Sequence, residues 1–341
     1  PTPYSRTADG FAVLRSSIRE FLCSEWMHYL GVPTTRALSI VTTGEEVLRD
    51  MFYDGNPQLE NGAIVARLSE SFIRFGNFEL LAARGELKIL RKLLIYCINE
   101  NTELNHVNHD CSSKELNKQS IEFFRSICLK TADLLVKWMQ LGFVHGVMNT
   151  DNMSIMGQTI DYGPFGWLEN YDETWTPNTT DIPGRRYCYG KQPEVAFWNL
   201  YQLANALRQL DIDEKSLIEC LDGYKNRYID RWQKTFVNKL GFEQYLGNKH
   251  DILINSLIQI FKKFGLDWTV FFRQLSLISY EISTSSKKTN LKIIASSSYQ
   301  KKDATFEHEI NEWLDNYIYQ IKSEKIKSEE RIKLMDATNP I

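Results

Sequence analysis

Apolar side chains recur at helical spacing between Ser16 and Leu30, where Ile18, Phe21, Leu22, Trp26 and Leu30 predict a helix. Ser17-Ile18-Arg19-Glu20 reads as a capping box at its start. Gly31-Val32-Pro33 ends it, and the runs Arg36 to Thr42 and Gly62 to Leu68 predict strands on either side of a turn at Asp54-Gly55-Asn56-Pro57. Helical spacing returns from Phe78 to Asn99 and from Leu116 to Leu141, and the asparagine-rich segment between them, Asn101 to Glu115, reads as a surface loop. Ile155 to Ile160 is a hairpin-like stretch, and from about residue 192, through Trp198, Leu200, Leu203, Leu207 and Leu210, the pattern is mainly helical to the end. Strands first and helices afterwards predict an α+β chain, with a small mixed lobe and a larger helical one. No internal repeat is evident.

Composition narrows the function classes. At 341 residues the chain has room for about two lobes of roughly 150 residues each. It is 43% hydrophobic and 24% charged, the make-up of a globular protein. A net charge of −3 leaves no global basic field for nucleic acid or an anionic membrane, so any phosphate binding must be local. Six scattered cysteines without a Cys-x-x-Cys pair imply free thiols in a reducing compartment. No apolar run approaches the roughly 20 residues that span a bilayer, and no secretory signal opens the chain. A soluble intracellular protein is expected. The first residue is Pro1 and the last stretch, Asp336 to Ile341, has no capping or tail-like pattern, which predicts a fragment.

Chemistry concentrates in His145-Gly146-Val147-Met148-Asn149-Thr150-Asp151-Asn152, followed by Asp161-Tyr162-Gly163. Protein kinases hold magnesium on nucleotide phosphates with an Asn and an Asp in this order, the first in a His-x-Asp-x-x-x-x-Asn loop and the second in Asp-Phe-Gly. Asn152 and Asp161 therefore read as metal ligands for Mg²⁺ or Mn²⁺, a reading that rests on their joint spacing, since each short motif alone is a common turn. The fold expected is a protein-kinase-like one in two lobes. Its divisions are 1–77 for an N-lobe remnant, 78–205 for a C-lobe with the metal loop, and 206–341 for a helical extension. Val147 stands where kinases keep the Asp that accepts the substrate's hydroxyl proton, and valine cannot do so. Asp151 is a carboxylate nearby, but displaced. His145 reads as a brace for the loop.

Cations and the remaining parts are less determined. Arg67 and Arg74 either face one pocket or form ordinary surface ion pairs, and the second is the commoner case. Glu20 either matches the helix Glu that pairs with a strand Lys in kinases or is only the last member of a capping box. Asp9-Gly10 either touches the nucleotide or caps the approach to the first helix. No Gly-x-Gly-x-x-Gly loop and no Val-Ala-x-Lys strand occurs in the chain. Truncation before Pro1 is the expected reason.

With these residues in view, the chain resembles the selenoprotein O family of protein adenylyltransferases, which keep a kinase-like fold but transfer AMP. The resemblance rests on Pro3-Tyr4-Ser5-Arg6, Asp9-Gly10, Val13 to Leu22, Gly31 to Ala37, Phe72-Ile73-Arg74-Phe75-Gly76, His145 to Ile155 and Ile160 to Gly166. It is strong over residues 1 to 205 and looser beyond. It implies ATP as substrate, bound in the reverse sense to a kinase, and proteins carrying Ser, Thr or Tyr as acceptors. It implies Asp151 as proton acceptor, Asn152 and Asp161 as magnesium ligands, Asp161 also touching the nucleotide, and Arg67 and Arg74 on its phosphates. Asp9 and Gly10 would line the nucleotide pocket, and Glu20 would organise the site. Where members often read Cys-Asn-His-Ser-Asp, this chain has Pro177-Asn178-Thr179-Thr180-Asp181 and so no cysteine at that place. The missing Lys and Gly-rich segments would impair nucleotide binding. Two rivals are a small-molecule or protein phosphotransferase, against which Val147 argues, and a non-catalytic pseudokinase that binds a partner. The compartment expected is the cytoplasm for a bacterial chain and the mitochondrion for a eukaryotic one.

Overall fold

The computed structural model describes residues 9–51, 54–101, 104–108, 110–281, 283–324 and 326–340. The motif Pro3-Tyr4-Ser5-Arg6 lies outside them. A short strand β1 (Ala12–Val13) runs directly into helix α1 (Leu14–Tyr29). The long strands β2 (Arg36–Arg49) and β3 (Gln58–Leu68) follow, and the antiparallel order is β1-β3-β2. Register runs from Arg36 opposite Leu68 to Arg49 opposite Gln58, with shifts after Ala37 and Thr42. Gly62 faces the second shift, where a Cβ would sit 2.5 Å from Thr43 Oγ1. Both strands extend well beyond the cores read from the sequence, because the Glu- and Thr-rich stretch between Thr42 and Arg49 pairs through backbone bonds that need no apolar side chains.

α1 departs from expectation in two ways. It begins at Leu14 after an uncapped Val13, so Ser17 is an interior, 2% exposed residue and the capping box is not formed. The stripe of Ile18, Leu22 and Trp26 faces outward, at 41–62% exposure, while Ser17, Cys23, Ser24 and Met27 face inward. Two bidentate ion pairs place the helix against the sheet: Arg15 with Glu60 at 2.9 and 3.0 Å, and Glu25 with Arg36 at 2.9 and 2.7 Å.

The predicted helix from Phe78 to Asn99 is two helices, α2 (Phe75–Ala83) and α3 (Leu87–Glu100), parted at Gly85, whose φ of 68° is left-handed. α4 (Ser113–Leu141) starts where the Ser112 hydroxyl accepts from the Glu115 amide at 3.2 Å and ends at left-handed Gly142. A two-residue pair, β4 (Phe143–Val144) with β5 (Gly166–Trp167), brackets the segment from His145 to Phe165. Ile155 to Ile160 forms a turn flanked by isolated bridges, not a regular hairpin. The rest is helical as expected: α5 (Gln192–Arg208), α6 (Glu214–Lys239), α7 (Asn248–Phe264), α8 (Trp268–Leu275), α9 (Thr284–Ala295), α10 (Ala304–Ser323) and α11 (Ser328–Thr338).

The architecture is mixed α+β, mostly helical, with small sheets. Two apolar clusters form its core. One gathers α2 to α5 and the first half of α6, through Leu94, Phe124, Leu135 and Leu200. The other gathers the end of α6 and α7 to α11 around Phe261, Trp268, Phe272 and Tyr317. Within the second cluster Lys239 is buried, donating to the Gln140 carbonyl at 2.9 Å and lying 4.1 Å from the Phe272 ring centre; burial pushes its ammonium pKa down. No helix among the described residues is long and apolar enough to cross a membrane.

Candidate active site

The start of the loop after β4 is built from neutral hydrogen bonds in the interior. His145 is 1% exposed; its Nε2–H donates to the Ile160 carbonyl at 2.8 Å, and its Nδ1 faces the Val147 amide at 3.4 Å. Burial holds its pKa below the ordinary histidine value, so the ring is the neutral tautomer those two bonds require. His145 is thus the brace the sequence suggested. Gly146 has a φ of 79°, and a Cβ there would stand 2.7 Å from the Pro164 carbonyl oxygen. Its own carbonyl accepts from Asn178 Nδ2 at 3.0 Å, which brings the Pro177–Asp181 segment against the loop.

The loop closes in a 3-10 turn, Thr150–Asn152. Asn152 donates Nδ2 to the Val147 carbonyl at 2.8 Å, so its Oδ1 is the atom left to face a cation. Asp151, one residue earlier, lies against the first turn of α2. Backbone bonds staple that turn to the loop: the Phe75 amide donates to the Met153 carbonyl at 2.9 Å, the Ile155 amide to the Ile73 carbonyl at 3.2 Å, and Arg74 bridges Ser154. Asp161 has a φ of 55°, a left-handed conformation that aspartate tolerates better than most residues.

Four of the predicted residues converge in one chain of charges. Arg67, on β3, pairs through Nη1 with Glu20 of α1 and through Nη2 with Asp161 Oδ1 at 3.2 Å. Arg74, preceding α2, reaches Asp161 Oδ2 at 3.3 Å. Their side chains are 19–33% exposed. Glu20 is therefore a partner of a strand cation, and that cation is Arg67. Burial raises the Glu20 pKa, opposed by Arg67. Next to it, Arg19 lies 4.4 Å from the Phe165 ring centre and donates to the Phe165 carbonyl at 3.0 Å, clamping α1 onto the segment after Asp161. On the other side, the Thr159 amide donates to the Pro33 carbonyl at 2.8 Å and the Thr34 hydroxyl meets the Tyr162 hydroxyl, which explains the Gly31-to-Thr35 motif as a dock for this segment.

Asp9 and Gly10 are not brought into this chain. Both Asp9 carboxylate oxygens are held by Arg49, at 2.6 and 2.8 Å, at the end of the hairpin opposite Arg67. Arg49's hydrogen bonds pull the Asp9 pKa down to about 2. A cavity of about 490 Å³ lies along the outward face of α1, lined by Arg19, Leu22, Trp26, Phe165 and Trp167 among others.

Sequence reasoning missed several supports. Gln192, fully buried at the start of α5, accepts from the His145 amide at 3.0 Å and donates to the Phe143 carbonyl at 2.8 Å. Asn199 donates to the Met148 carbonyl at 2.8 Å, and Thr150 donates to Glu79 of α2. The usable signal was an asparagine on the apolar stripe of Val195, Leu200 and Leu203, since a buried carboxamide needs a partner.

The residues present suit a hard cation. Among the described residues no three of His, Cys, Asp and Glu gather into a metal-holding group. A magnesium held by one carboxylate, one carboxamide and a substrate's phosphates needs no such group.

The family described as "Protein adenylyltransferase SelO" matches residues 1–341. The "Protein nucleotidyltransferase YdiU" of Methylobacillus flagellatus is 46% identical over 341 residues, covering 99% of this chain and 63% of that protein. The protein of the same name from Flavobacterium johnsoniae is 45% identical with the same coverage, and the one from Nitrosospira multiformis is 54% identical over 274 residues, 80% of this chain and 48% of its own. The chain thus spans less than two thirds of the length of these relatives. Matched from end to end and close to half identical to its members, the chain belongs to the SelO family.

Proposed function

We propose that this protein moves AMP from ATP to Ser, Thr or Tyr hydroxyls of other proteins and releases pyrophosphate. The observation that carries the reading is the convergence of Arg67 and Arg74 on Asp161, with Arg74 also bridged to Ser154 just after the Asn152 turn and Val147 where a kinase would keep its base. Relatives named protein nucleotidyltransferases support it.

In this reading the sheet and α1 are the small lobe, residues 1–77, of a kinase-like fold. Residues 78–205 are the catalytic part of the helical lobe and 206–341 a helical extension. Asn152 Oδ1 and Asp161 hold Mg²⁺ or Mn²⁺, which when bound neutralises charge on the phosphate oxygens. Arg67 and Arg74 hold the phosphates and the departing pyrophosphate; phosphate oxygens offer these guanidiniums the same charge-assisted bonds that the Asp161 carboxylate offers now. Glu20 orients Arg67 from behind. Asp151 takes the proton from the acceptor hydroxyl. Asp9 and Gly10 reach the nucleotide only if Asp9 exchanges Arg49 for it. The expected compartment is the cytoplasm, with neither nucleic acid nor membrane as partner.

Incubation with ATP labelled on the α-phosphate, and separately on the γ-phosphate, tests the reaction. Protein-bound label from the α position is the expected result. Label from γ alone would mean a phosphotransferase, and none from either a binding module.

A further inference from the structure

We infer that the first turns of α2 position Asp151, with Gly76 shaping the space for its carboxylate and Glu79 anchoring the turn that carries it; this rests on the reading of Asp151 as the base. A Cβ on Gly76 would stand 2.2 Å from Asp151 Oδ1, 3.1 Å from its Cγ and 3.2 Å from its Cα. The carboxylate therefore occupies the volume that any other residue at position 76 would fill. Rotating the side chain relieves only the first two contacts, because the third is to the backbone. One turn further along the helix, Glu79 accepts the hydroxyl of Thr150, the residue before Asp151. Arg74, at the other end of the turn, is bound to Asp161 and bridged to Ser154. One short helix thus contacts the residues on both sides of the reacting centre.

Gly76 has no need of glycine for its own backbone. It is an ordinary helical residue in the first turn of α2 with no left-handed φ, and glycine is a weaker helix former than alanine. The close approach of Asp151 is the reason for it that the structure contains. A carboxylate also suits this place electrostatically, next to the positive dipole end of a helix N-terminus.

Gly76→Ala is the test, with Asp151→Ala and the double variant beside it. The expected result is a folded protein, kcat for AMP transfer down about 100-fold, and KM for ATP within about threefold. Added to Asp151→Ala, the Gly76 substitution should cost nothing further, because both act on one group. Thr150→Val should lower kcat about tenfold, and Thr150→Ser should recover most of that loss, since the serine hydroxyl can reach Glu79. Full activity in Gly76→Ala, or a further loss on top of Asp151→Ala, overturns the inference and leaves the base reading standing. Activity retained in Asp151→Ala overturns the base reading itself. A crystal structure of Gly76→Ala gives an answer independent of activity: the Asp151 carboxylate should be turned away from α2, and an unmoved carboxylate refutes the proposal.

Discussion

The loop from His145 to Met148 is held by neutral donors and acceptors inside the protein, through Gln192, Asn199 and the His145 ring. Glu20, Arg67, Arg74 and Asp161 are held by ion pairs at the edge of solvent. The two halves meet at α2, yet they are built for different purposes. A buried carboxamide clasped on both sides has no other partner to turn to, so the loop is rigid before any ligand arrives. An ion pair a fifth to a third exposed is worth little in stability and exchanges readily, which is what the proposed binding of phosphates and a metal requires of the charged half.

Breaking each half should therefore register in different measurements. The largest effect belongs to the chemistry: Asp151→Ala should reduce α-label transfer about 10³-fold with the fold intact, and a loss below tenfold would move the base elsewhere. Next, Gln192→Leu strands the His145 amide and the Phe143 carbonyl, and should cost about 3 kcal/mol in denaturant unfolding. A cost below 1 kcal/mol would deny the loop its buried support. Arg67→Ala should change stability by under about 1 kcal/mol and yet weaken nucleotide binding roughly tenfold, about 1.4 kcal/mol, by calorimetry. The reverse pattern would make Arg67 a structural residue.

The smallest effect comes from pH. The folded pKa of His145 lies below its unfolded value of 6.5, so the unfolded chain takes up a proton first as pH falls. Stability is complete above pH 6.5 and declines below it, by under about 1 kcal/mol between pH 7 and 6. His145→Gln should remove that part of the slope in unfolding measured across this range. An unchanged slope would assign it to another group.

Much of the site was legible before the fold. The spacing of Asn152 and Asp161, the valine at position 147 and the brace role of His145 followed from residue chemistry in a short stretch, where chain connectivity alone keeps the groups near one another. Arg67 and Arg74 could not be separated from surface ion pairs, because their shared target, Asp161, comes from a distant part of the chain. Glu20 carried two readings, and the capping box failed because β1 delivers the chain into helix at Leu14, ahead of Ser17. The single long helix predicted over Phe78 to Asn99 missed the stop at Gly85, since an isolated glycine in an apolar periodic stretch is compatible with either outcome.

By itself the sequence determined the order of strands and helices, the extent of α4, the helical second half and the brace of the loop between β4 and β5, all set by local periodicity and short-range spacing. Only the tertiary structure decided that Arg67 joins Glu20 to Asp161, that Asp9 goes to Arg49, and that Gly76 leaves room for Asp151. These are pairings between residues far apart in the chain. Several partners of the right charge or size were available for each, and only the packing of α1, β3 and α2 around the loop selects among them.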